Sequence, residues 1–137
     1  MLRKLRSSRL NEFVSPDFAV SLLRIGVALL ILTHGTPKLM NILNGEFAFS
    51  DPIGIGPVPT LFLVAFAEFF CALFVLAGLF TRMALVPLLI NMSVAFFIYH
   101  ANDPFPRKEL TLFFLISFAF LFLTGPGSLS LDRIFRR

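Results

Sequence analysis

Glu68 stands alone in an apolar run from Leu61 to Phe80, twenty residues of which thirteen are Leu, Phe or Val. A run of that length spans a bilayer. At roughly −0.3 to −0.6 kcal/mol each, those thirteen side chains outweigh the roughly 2.5–3.5 kcal/mol cost of one central acid. The segment is therefore expected to insert with its carboxylate inside, where an ionisable group faces the protein interior and has a partner or a task. Arg24 interrupts an earlier apolar run in the same way. Counting about 1.5 Å per helical residue puts Arg24, Glu68, Asn91 and Ser117 in one intramembrane polar layer on four successive helices. The count predicts an Arg24–Glu68 ion pair, with Asn91 and Ser117 supplying the remaining hydrogen bonds. Such a layer can be structural glue between helices or a proton-accepting or headgroup-binding site built on Glu68. A third reading has Arg24 snorkelling to the interface, with Glu68 unpaired and protonated.

A second polar cluster belongs near the other membrane face. His34 and Lys38 lie one turn apart on one helix face. His100 precedes Asp103, and Arg107, Lys108 and Glu109 open a later helix. These residues read as anchors of helix ends, or as donors for a small anion or a quinone headgroup. Two histidines with nearby carboxylates are metal-ligand types, but no spacing enforces a site, and no metal centre is expected. Cys71 is the only cysteine. It rules out an internal disulfide and a CxxC redox motif, so dithiol chemistry by this chain alone is excluded. No nucleophile stands beside a base, and no catalytic residue is assigned.

The elements that must position these groups are helices. Hydrophobic residues make up 57% of the 137-residue chain and charged residues 15%, with a mean hydropathy of +0.86. The expected fold is all-α, an integral membrane four-helix bundle forming a single domain. Spans are expected at about 17–39, 59–80, 83–100 and 108–124, with an interfacial amphipathic segment at 128–137. Ser15-Pro16-Asp17 reads as N-cap, first helical position and first-turn acid. The connection from Asn41 to Pro59 is rich in Gly and Pro, so it is no continuous helix. It also carries Phe47, Phe49, Ile53 and Ile55, and is read as an ordered loop at the bundle mouth. Gly125-Pro126-Gly127 stops the last span.

Basic residues orient the bundle. Arg3, Lys4, Arg6, Arg9, Arg82, Arg133, Arg136 and Arg137 fall on one side, and Lys38, Arg107 and Lys108 on the other. That distribution predicts both termini in the cytoplasm. It also accounts for the net charge of +4 through topogenic charge and anionic-lipid contact. No basic patch with interleaved aromatics points to nucleic acid. The first apolar run starts late and no small-residue cleavage site follows it, so no cleavable signal peptide is expected.

Several strings, taken together, resemble the DoxX family of small four-helix bacterial membrane proteins. They are Arg24-Ile25-Gly26, His34-Gly35 and Lys38-Leu39 in the first helix, and Glu68 with Gly78-Leu79-Phe80-Thr81-Arg82 in the second. Thr124-Gly125-Pro126-Gly127 and Ser130-Leu131-Asp132-Arg133 complete the set. The resemblance implies a location in the bacterial inner membrane and association with redox enzymes, among them thiosulfate:quinone oxidoreductase subunits and complexes that handle oxidative stress. It supplies no catalytic residues. The leading expectation is thus an accessory membrane subunit or anchor of an oxidoreductase, binding a quinone or a small anion between its helices, with no covalent cofactor. Its partners would be the lipid bilayer, an oxidoreductase protein and further copies of itself. The alternatives are a dimeric proton-coupled small transporter, in which Glu68 carries the proton, and a non-catalytic scaffold.

Overall fold

A computed structural model describes residues 15–136. The basic residues Arg3, Lys4, Arg6, Arg9 and Arg137 lie outside them. The described chain is all-helical, with no strand among the described residues. Helix α1 is Pro16–Leu43 and α2 is Pro57–Ala77. Helix α3 is Thr81–Tyr99, α4 is Phe105–Thr124, and the short α5 is Leu131–Phe135. The first three are long and apolar enough to cross a membrane. Helix α4 has twenty residues, but Arg107, Lys108 and Glu109 occupy its first turns and shorten its apolar stretch.

Local chemistry sets the helix limits. Ser15 caps α1 as its sequence predicts, its hydroxyl accepting from the Phe18 N–H at 3.2 Å, while Pro16 occupies a position that needs no donor. Pro57 does the same for α2. Gly78 closes α2 in the left-handed conformation (φ 69°), which glycine adopts without strain. The following turn is so tight that Phe80 also takes a left-handed φ of 47°. Arg82 satisfies the last carbonyls of α4, its Nε donating to Phe122 O at 3.0 Å and Nη2 to Leu123 O at 3.3 Å.

Contacts across the helices define two ends. At one end, here the tail end, Arg24 of α1 meets the segment after α4, and Gly78 lies against Ser130 and Arg24. At the other, the loop end, Lys38 of α1 reaches Glu68 of α2, and His34 meets Phe114 of α4. Neighbouring helices therefore run in opposite directions. The apolar core of Val27, Val75, Leu85, Leu88, Phe118 and Leu121 fills the tail half. Towards the loop end the core gives way to a cavity. Many large apolar side chains, among them Leu29, Phe74, Met83 and Leu123, point outward, as they do where lipid is the solvent.

Two stretches depart from regular α-helix. Phe66–Cys71 within α2 and Ala95–Tyr99 at the end of α3 are π-helical turns. Such turns widen the helix and recur at functional sites. The first of them carries Glu68.

Candidate functional site

The site starts from a close approach of main chains. Gly35 of α1 lies against the backbone of Glu68 and Phe69, so close that a methyl at residue 35 would overlap the Glu68 carbonyl and come within 2.8 Å of Phe69 N. Small residues permit this proximity between membrane helices. One turn further along α1, Lys38 is thereby brought alongside the π-turn.

The predicted Arg24–Glu68 pair does not form. Glu68 is buried and its Oε2 is paired with Lys38 Nζ. Its Oε1 accepts from Asn91 Nδ2 at 2.8 Å. Asn91 thus does what its depth predicts. Lys38, assigned by sequence to a separate outer cluster, is the cation that meets the carboxylate. Ser117 is buried in α4 but neither bonds Glu68 nor lines the cavity beside it.

Arg24 turns the other way. Its guanidinium donates to the main-chain carbonyls of Pro126 and Leu129, in the segment after α4. Its Nε is buried without a partner. Ser21 Oγ accepts from Leu129 N at 2.9 Å and donates to Asp17 O at 3.1 Å. Asp132 of α5 accepts from Phe80 N at 2.8 Å, Thr81 N at 3.0 Å and Thr81 Oγ1 at 2.8 Å. Arg24 therefore fastens the C-terminal segment and does not belong to the Glu68 centre. Depth counting failed here because Arg and Lys side chains are long enough to leave the level of their own Cα atoms.

Glu68, Lys38 and Asn91 sit on the wall of a cavity of about 660 Å³. The volume falls in the range of small-molecule sites, about 300–1,000 Å³. Its walls are mostly apolar, with Ile31, Leu63, Phe66, Ile90 and Phe114 prominent, and His34 adds an imidazole. The His34 ring stands edge-on to Phe114, 5.9 Å between centroids and 84° between planes. The other outer-cluster residues, His100 and Arg107, also line it. His100 Nδ1 lies 2.6 Å from Asp103 Oδ2, which turns that imidazole towards its own connection. Four sequence-predicted residues of the outer cluster and two of the inner layer thus converge on one space.

The loop between α1 and α2 closes part of this space with Phe49, Pro52, Ile53 and Ile55. Asp51 holds the loop in shape, accepting from Ile55 N at 3.0 Å, Gly56 N at 2.9 Å and Thr60 Oγ1 at 3.2 Å. An Asp before Pro with two nearby glycines is the sequence signal for such a side-chain-fixed turn. Among the described residues no three His, Cys, Asp or Glu side chains converge as metal ligands.

Chemically, the arrangement offers a carboxylate, an ammonium, a carboxamide and an imidazole within an apolar chamber. These groups can donate to or accept from a polar headgroup, while the walls accommodate a ring or chain. Fold and site together define an all-helical membrane protein with a buried carboxylate centre beside an internal cavity. The DoxX family matches residues 19–101, which include Lys38, Glu68, Asn91 and the loop, and the chain belongs to that family. It is similar to an uncharacterised protein of Haemophilus influenzae, 32% identical over 127 residues, covering 86% of this chain and 91% of the relative. It is also similar to an uncharacterised membrane protein of Mycobacterium tuberculosis, 34% identical over 136 residues, covering 84% of this chain and 80% of the relative. No solved structure matches.

Proposed function

We propose that this protein is an accessory membrane subunit of an oxidoreductase and binds a quinone between its helices. The observation that carries the reading is the Glu68 carboxylate, held by Lys38 and Asn91 on the wall of the apolar cavity of about 660 Å³. A quinone has the matching chemistry, with two carbonyls for polar groups and a flat apolar ring for the walls. Reduction of a quinone to the quinol takes two electrons and two protons. The electrons would come from the partner oxidoreductase. Glu68, Lys38 and His34 can hand protons to, or take them from, the ring oxygens.

The same reading sets the four long helices across the bacterial inner membrane as one bundle, both termini in the cytoplasm, as the excess of basic residues on that side supports. The loop end then faces outward.

The test is quinone binding by the purified protein in lipid nanodiscs, read by calorimetry. Wild type is expected to bind a benzoquinone bearing a ten-carbon tail saturably, and Glu68→Gln to bind it at least about tenfold more weakly, the equivalent of 1.4 kcal/mol. Fold is expected to persist, because Lys38 reaches partly exposed surroundings where it can be solvated. Absence of saturable binding in wild type, or equal binding by Glu68→Gln, overturns the reading.

A further inference from the structure

We propose that the cavity opens sideways into the bilayer through a slot between α2 and α3, so that its ligand carries a lipid-like tail and arrives from the membrane. The inference deepens the quinone reading by naming the class of molecule and its route, and it rests on that reading for the headgroup alone.

The cavity wall differs from seam to seam. Between α1 and α2 it is shut by the main-chain approach of Gly35 to Glu68. Between α1 and α4 it is shut by Ile31 and Phe114, which line the cavity yet are only 1% and 3% exposed. Between α3 and α4, Tyr99 and Leu110 line the cavity and are 54% and 49% exposed, but Lys108 Nζ lies 5.1 Å from the ring centroid of Phe96 and bridges the two helices. The seam between α2 and α3 has no such bridge among the described residues. Leu63, Phe66 and Ile90 line the cavity and are also 57%, 50% and 60% exposed. A side chain that borders an internal space and the outside at once marks an opening.

The backbone agrees. At the tail end α2 and α3 are joined by a three-residue turn and touch as far as the π-turn that carries Glu68. Beyond it, Pro57–Ala65 and Ala95–Tyr99 scarcely meet. Pro87, which also lines the cavity, interrupts the hydrogen-bond ladder of α3 near the point where the helices part.

The slot is rimmed by Leu, Phe and Ile with no charged side chain among them, and it faces the direction in which the outward residues of α2 and α3 meet lipid. An aqueous solute would have to cross hydrocarbon to use it. A polyisoprenoid or acyl chain fits it directly, with the headgroup at Glu68 and Lys38 and the tail leaving between Leu63 and Ile90. Each methylene kept in an apolar groove instead of water is worth about 0.8 kcal/mol. A ligand already dissolved in the bilayer gains little of that, so the slot selects by route and fit more than by affinity.

The experiment uses the full chain in nanodiscs containing a phospholipid with a diazirine at the end of one acyl chain, and mass spectrometry after illumination. In wild type, labelling is expected on Ile31 and Phe114, inner-wall residues that face no lipid directly. Outward-facing Phe97 is labelled as the internal standard. The double variant Leu63→Trp, Ile90→Trp is expected to lose at least about 80% of the inner-wall label and to keep that on Phe97. Label confined to outward residues in wild type, or inner-wall label unchanged in the double variant, overturns the slot. A second arm titrates a tail-less benzoquinone and its ten-carbon-tailed analogue. The double variant is expected to weaken binding of the tailed compound by at least about tenfold more than that of the tail-less one. Equal loss of both overturns the slot. Inner-wall labelling by lipid together with no quinone binding in wild type supports the slot and overturns only the quinone headgroup.

Discussion

Arg24 and Glu68 are both ionisable residues buried among apolar helices, and the protein treats them differently. Arg24 gives its donors to main-chain carbonyls of Pro126 and Leu129, inside a tail end packed solid by Leu85, Leu88, Phe118 and Leu121. Glu68 is held by two side chains, Lys38 and Asn91, beside a cavity. A main-chain acceptor cannot move away without unfolding its segment, whereas an ammonium on a four-carbon stem can swing to another partner. The tail end is therefore a fastening, whereas the side-chain bonds at the loop end are ones that a ligand would be able to exchange.

The largest effect is expected from breaking the fastening. Arg24→Met preserves length and apolar bulk but strips the Pro126 and Leu129 carbonyls of their donor. A hydrogen bond to a charged group contributes about 1.5–3 kcal/mol, so a loss of roughly 3–6 kcal/mol is expected. Thermal unfolding in detergent reads the loss, and limited proteolysis is expected to release the segment from Gly125 onward. Ligand binding by the folded fraction should be unchanged. Strong loss of binding without loss of stability would mean that the two ends are one functional unit.

A smaller and more pointed effect belongs to Gly35. Alanine there would overlap the Glu68 main chain, which cannot yield as a flexible side chain would, so α1 and α2 must move apart. Overpacking of this kind costs about 1–3 kcal/mol, and it separates Lys38 from Glu68. Gly26→Ala on the same helix meets nothing within 4 Å and is expected to be neutral or to stabilise by up to about 1 kcal/mol through helix propensity. If the two alanines behave alike in unfolding and in ligand binding, the close approach at Gly35 does not position the site.

The difference between the ends also marks what was legible in the residues alone. The Ser15 cap, the helix-stopping Gly125-Pro126-Gly127, and the polar character of Glu68 and Asn91 follow from local rules that need no tertiary context. Helix phase pairs His34 with Lys38, and a place at a helix end near the same membrane face groups His100 with them. The partner of Glu68 is not legible in this way, because depth along a helix fixes Cα levels, while long cationic side chains choose their direction by what surrounds them. Gly78 in its left-handed turn lies against Arg24 and Ser130, and the C-terminal turn offers carbonyls to the guanidinium. Neither contact exists before the chain folds back. The π-turns had no sequence signal at all. One of them carries Glu68.

The smallest expected effect isolates the fastening by pH. Burial opposes the charge of Asp132, but the Thr81 N–H and hydroxyl, the Phe80 N–H and the charge of Arg136 together outweigh it and hold the carboxyl below its ordinary value of 3.8. A carboxyl depressed on folding stabilises at every pH above its unfolded value, and that stabilisation is lost as pH falls through the folded value. Asp132→Asn is therefore expected to unfold more readily than wild type at neutral pH, by about 0.5–2 kcal/mol as for the loss of a helix cap. The gap should hold down to about pH 4 and narrow below it, as thermal unfolding over pH 3 to 7 would read. Because Asp132 caps α3 at the tail end, its variant should leave any ligand affinity at the loop end untouched across that range. A ligand affinity that follows the Asp132 titration would show that the fastening sets the shape of the cavity, and the separation of the two ends would have to be given up.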